Sequence, residues 1–575
     1  MPFIKGKVAL ITGGASGIGL VTAKEMLRNG LKAAVLADIN PKFGQKAIQE
    51  ITKEFGANKV IFKQTDVANK SNAAVLADIN PKFGQKAIQE ITKEFGANKV
   101  IFKQTDVANK SNVKEAFEET IKNFEQLDIV INNAGIMNDK IWEQEIDINC
   151  KGVVYGTLLA LEEYIPKFKS SKEGIVVNVA SVAGLDPFEL TPIYSATKSF
   201  VVQFSRGIAS DFNYKRTKVK VITICPGSTD TPLSYLKGKL LNPIYEEMLE
   251  DYDYSRQNPE FLAEEIVSAI EKGKNGTTWI IEECPATKIY FRDRLELQKL
   301  SKFFCVQEKS YLLMFSVKGK VVLVTGGASG IGLKTIKELF KNGLKGAGIA
   351  DLNPDLGKKA VAEIEKEFGS GKVIFKKTDV TNKASLKDAF EATVEHFKQL
   401  DIVINNAGIM NDAIWEKEID INCKGLVYGT LFALEEYLPK YKKGEEGVIV
   451  NISSCAGIDP LDTFPAYCGT KAFVLSFSRS IGNETHYKRT NVKVVTVCPG
   501  PTDTPLLQLE GKIINPDLSD HLHGLLQNTV MQSTEDLAKG IVSAIVKGKN
   551  GSVWLIENAP PTELHFSDRF ELQRK

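Results

Sequence analysis

The peptide GKVALITGGASGIGL at residues 6–20 returns as GKVVLVTGGASGIGL at 319–333. An unbroken apolar run that ends in a glycine-rich turn reads as a buried parallel strand passing into a helix. Two further landmarks repeat in the same order. LDIVINNAGIMND stands at 127–139 and again at 400–412, and FRDRLELQK at 291–299 is matched by FSDRFELQR at 566–574. Repetition on this scale makes the 575 residues two homologous domains in tandem, 1–300 and 316–575, with a linker at 301–315. The join, LSKFFCVQEKSYLLMFS, has no counterpart at the N-terminus; it reads as an apolar segment packing between domains or as the scar of a fusion.

A second repeat lies inside the first domain. Residues 33–72, AAVLADINPKFGQKAIQEITKEFGANKVIFKQTDVANKSN, recur unchanged as 73–112, whereas the second domain carries one such unit, at 346–385. Identity at core and surface positions alike points to a recent duplication or an assembly artefact. Strand two is expected at 33–38, because the first copy follows NGLK as its counterpart does at 342–345. Strand three can come from the last copy, ending at Asp106, or from the first, ending at Asp66 with 73–112 extruded.

The apolar pattern predicts a strand at 6–12, a helix at about 17–29, a helix from Pro41 to Phe55, another at 113–125, strand four at DIVINNAG, and later strands at GIVVNVAS and VKVITICPG. The second domain repeats the order. Strands alternating with helices give an α/β fold: two Rossmann-like, doubly wound domains with mostly parallel sheets.

Composition narrows the function classes. Apolar residues make up 43% and charged residues 25%, an ordinary globular balance, and the net charge of +2 without a basic block gives nucleic-acid binding no support. The eight cysteines form no CxxC or Cys/His cluster, so no metal site is expected and reduced, buried thiols are. No signal peptide and no apolar stretch of about 18 residues is visible. A cytoplasmic protein without a membrane span is the expectation.

TGGASGIG at 12–19 and 325–332 puts glycines where the chain turns sharply, and a helix N-terminus then offers free N–H groups to a pyrophosphate. The residues concerned are Gly13, Ser16, Gly17, Ile18 and Gly19, then Gly326, Ser329, Gly330, Ile331 and Gly332. Asp38 and Asp351 each stand nineteen residues after the last glycine of the turn. A carboxylate there accepts ribose hydroxyls and repels a 2′-phosphate, which favours NAD over NADP; a helix-capping Asp is compatible with the same position. Asp66 or Asp106 with Val107, and Asp379 with Val380, could meet the adenine end. Asn133, Ala134 and Gly135, with Asn406, Ala407 and Gly408, follow strand four. Small and amide residues there let the backbone approach a planar cofactor.

Ser181, Tyr194 and Lys198 recur as Ser454, Tyr467 and Lys471. In both sets the Ser precedes the Tyr by thirteen residues and the Lys follows it by four. Tyr and Lys can therefore share a helix face while the Ser arrives from a strand end. That arrangement suits proton transfer between a phenol and an alcohol oxygen.

With these motifs in this order in both halves, the chain resembles the short-chain dehydrogenase/reductase family in its NAD-preferring form, and within it the hydroxyprostaglandin and insect alcohol dehydrogenase branches. NNAGIMNDAIWEKEIDIN at 405–422, the CPG after a central strand and HFSDR at 565–569 carry the finer likeness. The resemblance implies catalytic roles for Asn149, Ser181, Tyr194 and Lys198 and for Asn422, Ser454, Tyr467 and Lys471. It also implies cofactor contacts from Pro226, Gly227, Thr229 and Thr231 and from Pro499, Gly500, Thr502 and Thr504. It implies NAD-dependent oxidation of a secondary alcohol to a ketone, with a 15-hydroxyprostaglandin or related hydroxy fatty acid as substrate. The alternatives are a small aliphatic alcohol or an NAD-binding tandem pseudo-enzyme with an interaction role. Beyond Thr231 and Thr504 the halves diverge, as substrate lids do. Family members pair through helices, so an internal pseudo-dimer or a homo-oligomer is a further expectation.

Overall fold

The computed structural model describes residues 3–38, 100–250, 255–283, 285–305, 314–558 and 560–566. The described chain forms two compact units, one drawn from Met1–Asp186 and Thr197–Tyr290, the other from Pro187–Ala196 and Phe291–Asp568.

The first unit is built on eight strands: β1 (Val8–Thr12), β2 (Ala33–Asp38), β3 (Val100–Gln104), β4 (Ile129–Asn132), β5 (Gly174–Val179), β6 (Val219–Pro226), β7 (Thr278–Ile281) and β8 (Thr287–Ile289). Their spatial order is β3-β2-β1-β4-β5-β6-β7-β8, parallel except for the last pair. The second unit repeats this with β9 (Val321–Thr325), β10 (Gly346–Asp351), β11 (Val373–Lys377), β12 (Ile402–Asn405), β13 (Gly447–Ile452), β14 (Val492–Pro499), β15 (Val553–Ile556) and β16 (Thr562–Leu564), in the order β11-β10-β9-β12-β13-β14-β15-β16. The chain winds outwards one way from β9 and then the other way from β12. The crevice at that reversal is where an open α/β sheet binds ligands.

The central strands are apolar because helices cover both faces. β1, β4, β9 and β12 are buried along their whole length. In the second unit, Val322, Val324, Ile402, Ile404, Val448 and Val450 form one core with Ile336 and Leu339 of the helix Gly330–Lys341 and with Leu537 and Ile541 of Thr534–Lys547. The register sets Thr325 beside Asn405, so the polar ends of the two innermost strands meet at the crevice.

Some boundaries move, each for a local reason. β1 begins at Val8 because Gly6 sits in a turn at φ 77°, its N–H bonded to Gly30 O. The helix expected at 113–125 spans Lys110–Phe124, since the Asn109 side chain caps it by accepting from the N–H groups of Ser111 and Asn112. The helix Arg294–Cys305 continues into the segment that reads from sequence as a linker. β3 comes from the second copy of the duplicated unit. The helix expected from Pro41 to Phe55, and Asp66, lie outside the described residues. No described helix is long and apolar enough to cross a membrane.

Candidate active site

The glycine-rich turn connects β9 to its helix in the second unit. Gly326 has φ 62°, which a side chain disfavours. A Cβ on Gly332 would stand 2.4 Å from Gly326 O, so only glycine lets the helix start this close to the strand. Gly13 and Gly19 repeat both features. Ser329 precedes the helix with an extended backbone and makes no side-chain cap, as does Ser16, so the first helical N–H groups are left to face the crevice. Ile18 and Ile331 turn the other way and pack on the cores. Around Gly330 an added Cβ would meet only the Thr504 methyl, at 3.8 Å; Gly17 faces Thr231 likewise.

Asp351 ends β10. Its carboxylate accepts from Ala328 N in the glycine turn (3.1 Å) and from Asn353 N (3.0 Å), so it stands at the rim of the turn. Asp38 ends β2 at the matching place. Asp379 is exposed and bonded to Thr381, and Asp106 accepts from Ala108 N. Val380 and Val107 are buried; a Cβ on Gly425 or Gly152 would run into them at 2.8 Å, so each valine packs on a helix that glycine brings close.

After β12, Asn406 donates to Thr325 O and Gly326 O, both at 3.0 Å, and the N–H groups of Asn406 and Ala407 donate to Thr325 Oγ1. The Asn side chain thus fastens the glycine turn to strand four, and Asn133 does the same with Thr12 and Gly13. A Cβ on Gly408 would stand 3.1 Å from Asn422 Oδ1 and 3.4 Å from Lys471 Nζ; on Gly135, the neighbours are Asn149 and Lys198 at the same distances.

Tyr467 and Lys471 lie one turn apart on the buried helix Pro465–Ile481, and Ser454 stands beyond the end of β13. The Ser454 hydroxyl bonds the Tyr467 side chain and accepts from Ala456 N at 3.1 Å. Lys471 Nζ donates to Ile452 O at 3.1 Å and lies 5.6 Å from the Tyr467 ring centroid. Burial pushes the Tyr467 phenol well up, opposed by the Ser454 bond, and pushes the Lys471 ammonium down to about 8. Asn422 sits in a π-helical turn, Asp420–Gly425, a local widening often found at functional sites. It accepts from Ile409 N (2.9 Å) and donates to Ile409 O (2.9 Å) and Thr470 Oγ1 (3.0 Å).

In the first domain, Tyr194 and Lys198 share the helix Pro192–Ile208, and Lys198 Nζ donates to Val179 O at 3.0 Å. Burial holds Lys198 down to about 8 as well. Asn149 repeats the bonds of Asn422, to Ile136 and Thr197, and Ser181 accepts from Ala183 N.

The family profile for short chain dehydrogenase matches residues 7–84, 70–239 and 320–512. The chain belongs to that family. This short-chain dehydrogenase is 34% identical over 257 residues to 15-hydroxyprostaglandin dehydrogenase [NAD(+)] of Mus musculus, covering 94% of that protein and 44% of this chain. It is 35% identical over 250 residues to alcohol dehydrogenase 1 of Ceratitis capitata, covering 96% of that protein and 43% of this chain. A solved 3-ketoacyl-(acyl-carrier-protein) reductase from Brucella melitensis shares 24% identity at a TM-score of 0.36, over 43% of this chain and 99% of that one.

After β14 of the short-chain dehydrogenase, Pro499 and Gly500 lead to Thr502 and Thr504. Gln532, which the sequence does not single out, clamps this loop by donating to Thr502 Oγ1 (3.2 Å) and Ile556 O (2.8 Å); Gln257 holds Thr229 and Ile281 after Pro226 and Gly227. Thr504 Oγ1 is 3.4 Å from Thr502 O and Thr231 Oγ1 is 3.5 Å from Thr229 O. Then comes the divergent segment. In the second unit it forms the helix Ser519–Gln527, tied down where His521 Nε2 meets Asp462 Oδ2 at 2.9 Å. In the first unit the described part is short 3-10 turns, Pro232–Ser234, Pro243–Tyr245 and Glu247–Glu250. Thr470, Thr325 and Gln532 escape sequence reasoning because each works by orienting another side chain or a loop. No group of three or more His, Cys, Asp or Glu side chains capable of holding a metal occurs among the described residues.

Proposed function

We propose that this short-chain dehydrogenase is an NAD-dependent oxidoreductase that interconverts a secondary alcohol and its ketone. The observation that carries the reading is the cluster of half-buried Ser454 with buried Tyr467, Lys471 and Asn422 beside the crevice of the second sheet. The relatives that carry NAD(+) or alcohol dehydrogenase in their names support it. The residues present also fit the cofactor. The turn at Gly326–Gly332 leaves room for a pyrophosphate against free helix N–H groups, and the Asp351 carboxylate at its rim suits ribose hydroxyls. Gly330, Asp351, Gly408, Lys471 and Thr504 would line the cofactor. When bound, NAD supplies the hydride acceptor.

The chain's own residues handle the proton. Tyr467 Oη, bonded to Ser454, receives the alcohol proton during oxidation and returns it during reduction. A buried phenol holds its proton tightly, so the Lys471 cation beside the ring is what makes phenolate accessible. Ser454 Oγ holds the substrate oxygen in place, and Asn422 shapes the backbone at Ile409 and Gly408 around Lys471.

For substrate, we infer a prostaglandin-like hydroxy fatty acid. The segment after Thr504 is rich in apolar side chains, and Leu525, Val530 and Met531 expose them, at 38%, 71% and 40%. A small aliphatic alcohol is the second reading, favoured by equal likeness to the insect enzyme.

The test is NADH formation across hydroxy fatty acids and secondary alcohols, comparing the parent with Tyr194→Phe and Tyr467→Phe. Loss of nearly all turnover with Tyr467→Phe alone puts the chemistry in the second domain; loss shared between the two variants makes both domains active. NAD binding without turnover of any alcohol sinks the enzymatic reading in favour of a binding protein.

A further inference from the structure

Two carboxyls that the proposed reaction does not use are buried beside the start of the helix that carries Tyr467. Asp412 and Glu418 are both 0% exposed. Asp412 caps the helix that carries Tyr467 and Lys471: Oδ2 accepts from Ala466 N at 2.7 Å and Oδ1 from Tyr467 N at 3.0 Å. Glu418 Oε1 accepts from Asn411 N at 2.8 Å. Glu418 Oε2 is buried and has no hydrogen-bond partner, and Oε1 is held by the N–H of the residue just before Asp412, which brings the two carboxyls together. Two carboxylates repel when both are charged, and an orphaned oxygen in a dry interior is costly. Both are relieved if Glu418 Oε2 carries the proton and donates it to Asp412. The first domain repeats the arrangement: Asp139 and Glu145 are 0% exposed, Glu145 Oε1 accepts from Asn138 N at 3.0 Å, and Glu145 Oε2 is again orphaned.

We propose that Asp412 and Glu418 are a positioning pair for Tyr467, in which one shared proton leaves a single negative charge that fixes the main chain at the start of the catalytic helix. The inference rests on the oxidoreductase reading only for what Tyr467 does. An anionic Asp412 at a helix N-terminus is stabilised by the N–H groups it accepts. A second charge on Glu418 would stand against Tyr467 and raise its phenol further, so the proton on Glu418 also protects the base. Tyr467, Cys468 and Lys471 of the capped helix face the pair; in the first domain Lys198, with Cys150 and Lys239 from other elements, faces Glu145. Burial and mutual repulsion push Glu418 well above the usual carboxylate range, with the attraction of Lys471 working the other way. Burial raises Asp412 too, though the N–H groups of Ala466 and Tyr467 favour its charge.

The roles are asymmetric, and that makes them testable. Glutamine at 418 imitates a protonated Glu, because its NH2 can donate to Asp412. Asparagine at 412 replaces one of the two accepting oxygens with an NH2, which cannot accept the helix N–H that oxygen now holds. In full-length protein with Tyr194→Phe silencing the first domain, Glu418→Gln should keep kcat within about twofold and leave its pH profile unchanged. Asp412→Asn and Glu418→Met should lose roughly tenfold or more in kcat, with a smaller change in KM for NAD, as misplacement of a reacting group requires. Equal losses from Gln and Met at 418 would overturn the proposal.

A second readout needs no substrate. The infrared C=O stretch of a protonated carboxyl should be present in the parent at neutral pH and absent from Glu145→Gln/Glu418→Gln. Its absence from the parent overturns the shared proton even if the enzyme is active. Its presence in a protein that oxidises no alcohol would uphold the pair and leave only the oxidoreductase reading refuted.

Discussion

Lys471 shows how one buried side chain couples chemistry to stability. Its side chain is buried and its ammonium is held down to about 8, against 10.5 for the free group. Between those values the unfolded chain binds a proton that the folded chain does not. Stability contributed by this residue is therefore absent at neutral pH, rises as pH climbs from about 8, and is complete above about 10.5. Lys471→Met removes the titration, so the parent should gain stability on the variant across that window, read as the difference in urea midpoint at each pH. A constant difference would mean that the ammonium is solvated. Tyr467 bends the other way at higher pH: with its phenol raised, the stability it contributes is intact below its unfolded value of about 10 and declines as the pH rises beyond it.

At the scale of the element, the strand-to-helix turns do the shaping. Gly332→Ala would drive a methyl to 2.4 Å from Gly326 O, a backbone atom that cannot swing aside. We expect a loss of about 2 kcal/mol in stability from such overpacking, together with weakened NADH binding by fluorescence titration. An unchanged Tm would mean that the helix can slide outwards. These turns were legible in the sequence because glycine spacing and the apolar run before it are local. The spacing of Ser454, Tyr467 and Lys471 is legible for the same reason, whereas Asn422 enters only through the family resemblance. What stayed hidden is non-local. Nothing in the string shows that Asp412, fifty-five residues before Tyr467, caps its helix, or that Asn406 spends its amide on the turn after β9. The π-helical turn at Asn422 was equally invisible, since its sequence differs little from that of an α-helix. The helix Arg294–Cys305 runs on into the join that reads from sequence as a linker, because no Gly or Pro stands in LSKFFC to stop it.

At the scale of the whole molecule, the two units keep one strand order despite the duplicated segment. From Asp38 to Val100 is 62 positions and from Asp351 to Val373 is 22, a difference of 40, the length of the perfect repeat. β3 is an edge strand, so the surplus enters the chain without parting any two central strands. Because the copies are identical, deleting any forty-residue window within 33–112 yields one and the same protein. We expect that protein to keep the Tyr467-dependent activity unaltered and to unfold at a higher temperature in its first transition by calorimetry; an unchanged first transition would show that the extra unit is thermodynamically silent. The paired cysteines give a way to watch each half separately. Cys150 and Cys225 in the first unit, and Cys423 and Cys498 in the second, are buried thiols in no disulfide. A thiol can be alkylated only when its surroundings open, so a brief pulse of reagent in mild denaturant stamps each half with its own record of opening. Peptide masses then rank the halves by local unfolding rate within one chain, with no residue changed in either.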